Sequence, residues 1–297
     1  MTSPQQTGPI DVKTGNPATP EDARAQMLEL LSGQKATLDD NKAYYESERR
    51  PTAIGIATPP NMRELLANVG YPRLYVNALS ERLEIEGFRL GGADEADEQL
   101  WDWWQANDLD VEATLGYTDA LVHGRSYITI SVADPTIDIG VDPEVPIIRV
   151  EPPTSLYAAV DPRTKRVTQA LRAVFNDDGD TVGATLYTPM QSLSWTFVQG
   201  QWVPLTPVNH GLGIVPVVPM PNRTRLSDLY GTSEITPELR SVTDAASRIM
   251  MNMQATAELM AVPQRLLFGV KPSELGVDPE TGQTMFDAYL ARILAFE

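Results

Sequence analysis

The fold of this chain is constrained most by one long predicted helix with an apolar face, here called the seam, for which the sequence offers no partner helix. Residues 232–261 predict one helix, which ends before Pro263 because proline disfavours the helical conformation in the residue preceding it. The helix would be roughly 45 Å long at 1.5 Å per residue. Its apolar residues recur at spacings of three and four, as on a surface that packs along another long helix; they are Ile235, Leu239, Val242, Ala246, Ile249 and Met253. No second long amphipathic helix follows residue 50, so we predict an oligomeric surface; packing across the chain's own sheet is the alternative.

The sequence before the seam predicts helices followed by an antiparallel meander. Helices are predicted at 21–49 (interrupted at Ser32-Gly33), 60–70, 71–83, from about residue 95, and at 109–123. Strands are predicted at 85–90, 126–132, 147–150, 156–160, 167–175, 181–188, 193–198 and 201–205. Helices that precede a run of hairpin-linked strands indicate the α+β class.

Composition excludes several kinds of protein. The 40 acidic and 23 basic residues give a net charge of -17, whereas a protein that grips DNA needs a basic face. The chain has no cysteine, so disulfides and thiolate metal sites are excluded. No secretory signal and no apolar run of about 20 residues is present, which favours a cytosolic protein, or one built into a particle in the cytosol, with no membrane partner.

The two histidines are weak candidates for catalysis. His123 precedes Gly124 at a predicted helix end, where an imidazolium would suit the negative end of the helix dipole. His210 begins the sequence His210-Gly211-Leu212-Gly213, which is typical of a turn.

The remaining candidate groups also favour structural roles. Residues 94–98 are an acidic run, typical of a solvated helix face. The aspartates at 177, 178 and 180 suit a hairpin loop better than a calcium site. Trp101 and Trp104 share one helix face and so favour a core over a platform for bases or sugars. We therefore predict no catalytic, cofactor-binding or metal-binding residues and no cofactor.

Three function classes stay open on these residues alone. The first is a ring-forming assembly protein. The second is a carboxylate-dependent hydrolase in which tryptophans line a sugar cleft, and the third is another non-enzymatic assembly protein that never meets DNA.

Five short motifs, in this order along the chain, carry a resemblance to a known family. They are Asp119–Ile128, Glu151-Pro152-Pro153-Thr154-Ser155, His210–Asn222, Gly231-Thr232-Ser233-Glu234-Ile235 and Ala261-Val262-Pro263-Gln264-Arg265. Over about residues 20–297 the chain resembles portal proteins of siphophages, and more narrowly those of phages that infect mycobacteria and related actinobacteria.

The resemblance implies a domain organisation. Residues 1–20 would be a mobile tail, 21–230 a wing of helices and antiparallel sheet, 231–262 a stem helix, and 263–297 the start of a clip. Family members continue with the rest of the clip, a second stem helix, a tunnel loop and a crown. The apolar final segment, 286–296, leads us to expect that more protein belongs here.

The resemblance also implies a function and partners. The chain would be one subunit of a dodecameric ring at a unique capsid vertex of the virion, assembled in the host bacterial cytoplasm. The ring would conduct double-stranded DNA during packaging and ejection without gripping it, and would contact the large terminase, the head-tail adaptor and the major capsid protein. In such a ring we expect Arg240, Arg248 and Arg265 to pair with carboxylates of a neighbouring subunit.

Overall fold

The computed structural model describes residues 19–49, 69–91, 95–133, 138–261, 265–268 and 293–296. The helices are α1 (Pro20–Tyr45), α2 (Tyr71–Ser80), α3 (Glu98–Ala106), α4 (Leu109–His123) and α5 (Pro237–Ala261). The strands are β1 (Arg125–Ser131), β2 (Ile147–Glu151), β3 (Leu156–Val160), β4 (Val167–Phe175), β5 (Thr181–Tyr187), β6 (Gln191–Val198), β7 (Gln201–Pro204), β8 (Val208–Asn209), β9 (Val217–Pro221), β10 (Arg265–Phe268) and β11 (Ile293–Phe296). This combination of helices and antiparallel sheets confirms the predicted α+β class.

The chain divides into two compact units, Met1–Arg49 with Gly70–Leu239 and Arg50–Val69 with Arg240–Glu297. The first contains α1 to α4, β1 to β9 and the first turn of α5. The second contains the rest of α5 and a parallel pair, β10 and β11, in which Arg265 lies opposite Ile293.

Helix α1 covers one face of the larger sheet. Thr19 caps its first turn by accepting the amide of Asp22, and proline occupies the first helical position. Met27 and Leu31 pack with Leu171 and Trp195 of the sheet. The predicted interruption at Ser32-Gly33 is wrong: the helix is continuous, since packing on the sheet offsets the roughly 1 kcal/mol that an internal glycine costs.

The meander forms a sheet in the order β3-β4-β5-β6-β7, with β8 beside β6. Residues alternate between its two faces, as the period of two requires. In β3, Tyr157 and Ala159 face the α1 core, whereas Leu156 and Ala158 pack in a second cluster with Tyr127 of β1. The predicted strands 156–160 and 167–175 have these bounds in the structure.

A second sheet, β2-β1-β9, connects the helices to the meander. Strand β9 returns from the end of the meander to pair antiparallel with β1, with Arg125 opposite Pro221. Helix α4 packs closely on this sheet at Gly116, where an added Cβ would lie 2.6 Å from Cγ1 of Val150. The hydroxyl of Ser126 donates to the Gly116 carbonyl at 2.7 Å.

The predicted strand at 85–90 is wrong, and the predicted tryptophan core is confirmed. Residues 85–90 are irregular, and Ile85 and Phe88 pack against Trp101 and Trp104. The Phe88 ring lies 5.4 Å from that of Trp104, centroid to centroid. The alternating apolar residues therefore pack in an aromatic cluster and do not form a β-strand.

Three predicted segments fall largely outside the described residues. They are the tail at 1–20, of which only residues 19 and 20 are described, the helix at 60–70, of which only the non-helical residues 69 and 70 are described, and the start of the clip at 263–297, of which only 265–268 and 293–296 are described.

Candidate functional site

The end of α4 and the segment that leads into α5 form one tightly bonded junction. Gly124 ends α4 in the left-handed conformation, at a φ of 91°. Its carbonyl accepts the amide of Asn222, at the end of β9, at 2.8 Å. The predicted helix end at Gly124 is thus confirmed, and this glycine also bonds to the segment after β9.

Gly231 fits where no other residue would. Its φ of 80° lies in the left-handed region, and an added Cβ would clash with the carbonyl oxygen of Gly124. The neighbouring Thr232 amide donates to the Asn222 carbonyl at 2.8 Å, and the Asn222 side-chain amide donates to the Thr232 carbonyl at 2.9 Å. Asn222 and Thr232 are therefore held together by a reciprocal pair of hydrogen bonds.

Glu234 ties the same segment to α4 and α2. Its amide donates to the Leu121 carbonyl at 2.8 Å, and its carboxylate accepts the side chain of Asn222 at 2.8 Å. The other carboxylate oxygen accepts the hydroxyl of Tyr75 at 3.2 Å, and this negative charge raises the pKa of Tyr75.

Ser233 completes the junction. Its hydroxyl donates to the Val122 carbonyl at 2.5 Å and accepts the amide of Ile235 at 3.0 Å. We call this network the clamp; it consists of Gly124, Asn222, Gly231, Thr232, Ser233 and Glu234.

Arg125 connects the clamp to α1. Its guanidinium donates to the side-chain oxygen of Gln34 and to the Tyr230 carbonyl, and lies 5.6 Å from the centre of the Tyr230 ring. Gln34 in turn donates to the Pro153 carbonyl at 2.8 Å. Four of the five motifs identified in the sequence therefore meet in space, although each consists of turns and caps without catalytic chemistry.

Helix α5 begins later than predicted, and this removes one residue from the predicted seam. Thr236 accepts the amide of Leu239 at 3.4 Å and Pro237 is the first helical residue, so the helix starts at 237 and not at 232. Ile235 lies before the helix and is only 2% exposed, in a core with Tyr44 and Val76. The place of Ile235 at a ring interface stays a prediction, and the burial of its side chain inside the subunit counts against it.

The rest of the seam lies largely on an exposed face of α5. Val242, Ile249 and Met253 are 58%, 59% and 66% exposed, and Leu239 and Ala246 are half-buried. A shallow groove follows this face, lined by Ile249, Asn252, Met253, Thr256 and Ala257.

The side of α5 that is buried is a different one. Thr243, Ser247 and Met251 are each at most 7% exposed. At about 100° per residue they lie roughly 80°, 120° and 160° around the helix axis from the centre of the apolar face. The helix therefore buries two hydroxyls and Met251, and leaves Val242, Ile249 and Met253 exposed.

The three arginines predicted to form ion pairs between subunits differ in their surroundings. Arg248 is half-buried, and its Nε donates to the Asp244 carbonyl at 3.2 Å, one turn earlier. Arg240 is half-buried and already interacts within the chain. Arg265 belongs to β10, and its side chain lies outside the described part of the structure.

The structure contradicts the expectation that His123 is a positively charged imidazolium at the end of α4. Burial, and then the charge of Arg125, lower the pKa of His123 to about 4, so the ring is neutral near pH 7. Its Nδ1 is buried without a hydrogen-bond partner among the described residues. The second histidine lies in the predicted turn, with Gly211 and Gly213 in left-handed conformations.

The acidic candidates have structural roles. Asp97 caps α3 by accepting the Leu100 amide at 2.9 Å. In the β4–β5 hairpin the side chain of Asn176 accepts the amide of Asp180 at 2.7 Å, and Gly179 has a φ of 83°. Within the described ranges, no group of three or more potential metal ligands lies together.

The comparisons with known proteins identify the family. The sequence model described as "Phage portal protein, SPP1 Gp6-like" matches residues 31–291. The chain belongs to the phage portal protein family. Portal proteins are structural virion components and not enzymes, so the hydrolase alternative is wrong.

Two portal proteins are similar over most of this chain. That of Mycobacterium phage D29 is 65% identical over 281 residues, which are 94% of this chain and 58% of the relative. That of Mycobacterium phage L5 is 63% identical over 279 residues, 94% of this chain and 57% of the relative. The chain thus spans somewhat more than half the length of these portal proteins, and the predicted resemblance to mycobacteriophage portals is confirmed.

Sequence reasoning missed Asn222 and Glu234 as bonding partners. Both were visible only as parts of motifs, and their partners lie ten or more positions away or on other elements. The signal available in the sequence was the pair Gly124 and Gly231, since isolated glycines next to helix ends often mark close backbone approach.

None of the helices in the described part is long and apolar enough to cross a membrane.

Proposed function

We propose that this chain is a subunit of a portal ring, in which the exposed apolar face of α5 packs against α5 of the neighbouring subunits. The observation that carries the proposal is the exposure of Val242, Ile249 and Met253 in a chain of the portal family. When two such faces pair, their apolar side chains are removed from water. This burial stabilises the pair by about 25 cal/mol for each Å² of apolar surface buried.

Membership of the portal family supports a proposal of what this ring does. The ring occupies a unique capsid vertex, admits double-stranded DNA during packaging and releases it at ejection. The large terminase docks on it during packaging, and the head-tail adaptor binds it later. Residues 21–230 serve as the wing, 231–262 as the stem and 263–297 as the start of the clip. A net charge of -17 supports a conduit along which DNA slides without being held.

Thiol accessibility tests the proposed interface directly. The chain has no cysteine, so a single Ile249→Cys substitution provides one reporter. We expect its maleimide labelling to be fast in dilute monomers and at least tenfold slower in assembled rings. Asp178→Cys, on an exposed hairpin of the wing, is the control for general changes in reactivity. Equal labelling of Ile249→Cys in monomers and rings would exclude this face from the interface.

A further inference from the structure

We propose that the clamp preorganises the start of α5 within each separate subunit and thereby acts as a positioning element for ring assembly. This inference rests on the proposed function, since it concerns how a ring subunit presents its stem helix. Asn222 and Glu234 are its central positioning residues.

The hydrogen bonds of the clamp are complete within a single chain. The amides of Thr232, Glu234 and Ile235 donate to the Asn222 carbonyl, the Leu121 carbonyl and the Ser233 hydroxyl. All these groups belong to the first compact unit, which also contains the first turn of α5. No neighbouring subunit is needed to satisfy them.

Packing in the clamp also leaves little freedom. Gly124 and Gly231 meet backbone to backbone, and Ile235 is fixed in the core beside Leu121 and Val122. The loop between Asn222 and Gly231 is packed less closely, since Leu226 is 89% exposed. We therefore expect its amides to exchange faster than those of the clamp.

A fixed start of α5 matters for the closure of a ring. A head-to-tail ring closes only when each subunit repeats the same rotation relative to the last. If α5 began in a different direction from one subunit to the next, the proposed α5 contacts would repeat irregularly and give open arcs. A fixed helix start in the free subunit removes that variation before assembly.

Hydrogen exchange of the wild-type protein is the first test. Amide exchange at Thr232 and Glu234 is measured in rings and in subunits kept monomeric by dilution or by Ile249→Asp. We expect these amides to exchange at least tenfold more slowly than that of Leu226 in both states. Protection that appears only in rings would overturn the proposal.

A matched pair of variants is the second test. Asn222→Ala removes the side-chain bonds to Thr232 and Glu234, and Asn209→Ala makes the same change at an exposed position in β8. We expect about tenfold faster exchange at Thr232 in Asn222→Ala, with loss of closed rings in electron micrographs. The Asn209→Ala variant should match wild type in both measurements.

The outcomes separate this inference from the proposed function. Closed rings from Asn222→Ala, at wild-type yield and with faster exchange at Thr232, would contradict the inference and leave the portal ring intact. If Asn222→Ala does not fold, the exchange measurement on the unmodified clamp still decides. Failure of the wild-type chain to form rings would instead contradict the proposed function.

Discussion

Gly124 and Gly231 meet backbone to backbone, so that the carbonyl oxygen of one lies where the other would carry a side chain. We predict that Gly231→Ala destabilises the fold by about 3 kcal/mol or more, because it combines a strained φ with a steric clash. Urea unfolding followed by tryptophan fluorescence measures the change.

Gly200→Ala is the control for backbone strain alone. Gly200 has nearly the same φ, 81°, but nothing lies within 4 Å of an added Cβ. We expect a loss of about 1 kcal/mol for this variant. Equal losses for the two variants would mean that the contact between Gly124 and Gly231 is unimportant.

A second prediction concerns the contact between α4 and the smaller sheet. A Cβ at Gly116 would lie 2.6 Å from Val150 and 3.1 Å from the methyl of Met220. We expect Gly116→Ala to cost about 1–2 kcal/mol, since overpacking outweighs the gain in helix propensity.

Removing the obstructing side chain should reveal the cause. The double variant Gly116→Ala with Val150→Ala should be more stable than the sum of the single losses predicts, by at least about 0.5 kcal/mol. Strict additivity in a double-mutant cycle would count against close packing at this point.

The sheets show which parts of the fold the sequence could predict and which it could not. Most strands of the meander were predictable because period-two alternation and turn residues such as Asp178-Gly179 are local signals. The return of β9 to β1 was not, because its partner lies about 90 residues earlier in the chain.

The start of α5 illustrates the same limit. Two segments, Thr232-Ser233-Glu234 and Thr236-Pro237-Glu238, both carry cap-like residues, and local pattern does not rank them. The structure selects the second, because Ser233 and Glu234 bond to α4 instead of capping a helix. Tertiary bonding therefore decided both the helix start and the burial of Ile235.

The third prediction concerns pH. Burial, followed by the charge of Arg125, lowers the pKa of His123 to about 4, whereas the unfolded chain has the ordinary value near 6.5. Between these values the unfolded state binds more protons, so stability rises with pH. The contribution is complete above pH 6.5 and is lost as the pH falls towards 4.

His123→Gln should remove this dependence. Because the ring is only half-buried, we expect the wild type to lose about 2 kcal/mol more than this variant between pH 6.5 and 4. His210→Gln is the control for replacing a histidine elsewhere. Parallel stability curves for wild type and His123→Gln, from urea titrations across this range, would contradict the lowered pKa of His123.

The fourth prediction concerns nucleic acid. With 40 acidic and 23 basic residues, assembled rings should bind duplex DNA weakly at physiological salt, because few phosphates find a basic partner. Fluorescence anisotropy with a labelled duplex at several salt concentrations measures this. Sub-micromolar affinity with a steep salt dependence would mean many phosphate contacts and would contradict a low-friction conduit.

The central claim is that α5 assembles this chain into a ring through its exposed apolar face. Native mass spectrometry of the purified protein tests it most directly, with Ile249→Asp beside wild type and Gln254→Asp as an exposed control away from the centre of that face. We predict a closed oligomer of many 32.6 kDa copies for wild type and for the control. Ile249→Asp should give a folded monomer, because a charge in a desolvated interface is strongly unfavourable. A monomeric wild type, or intact rings from Ile249→Asp, would contradict the account.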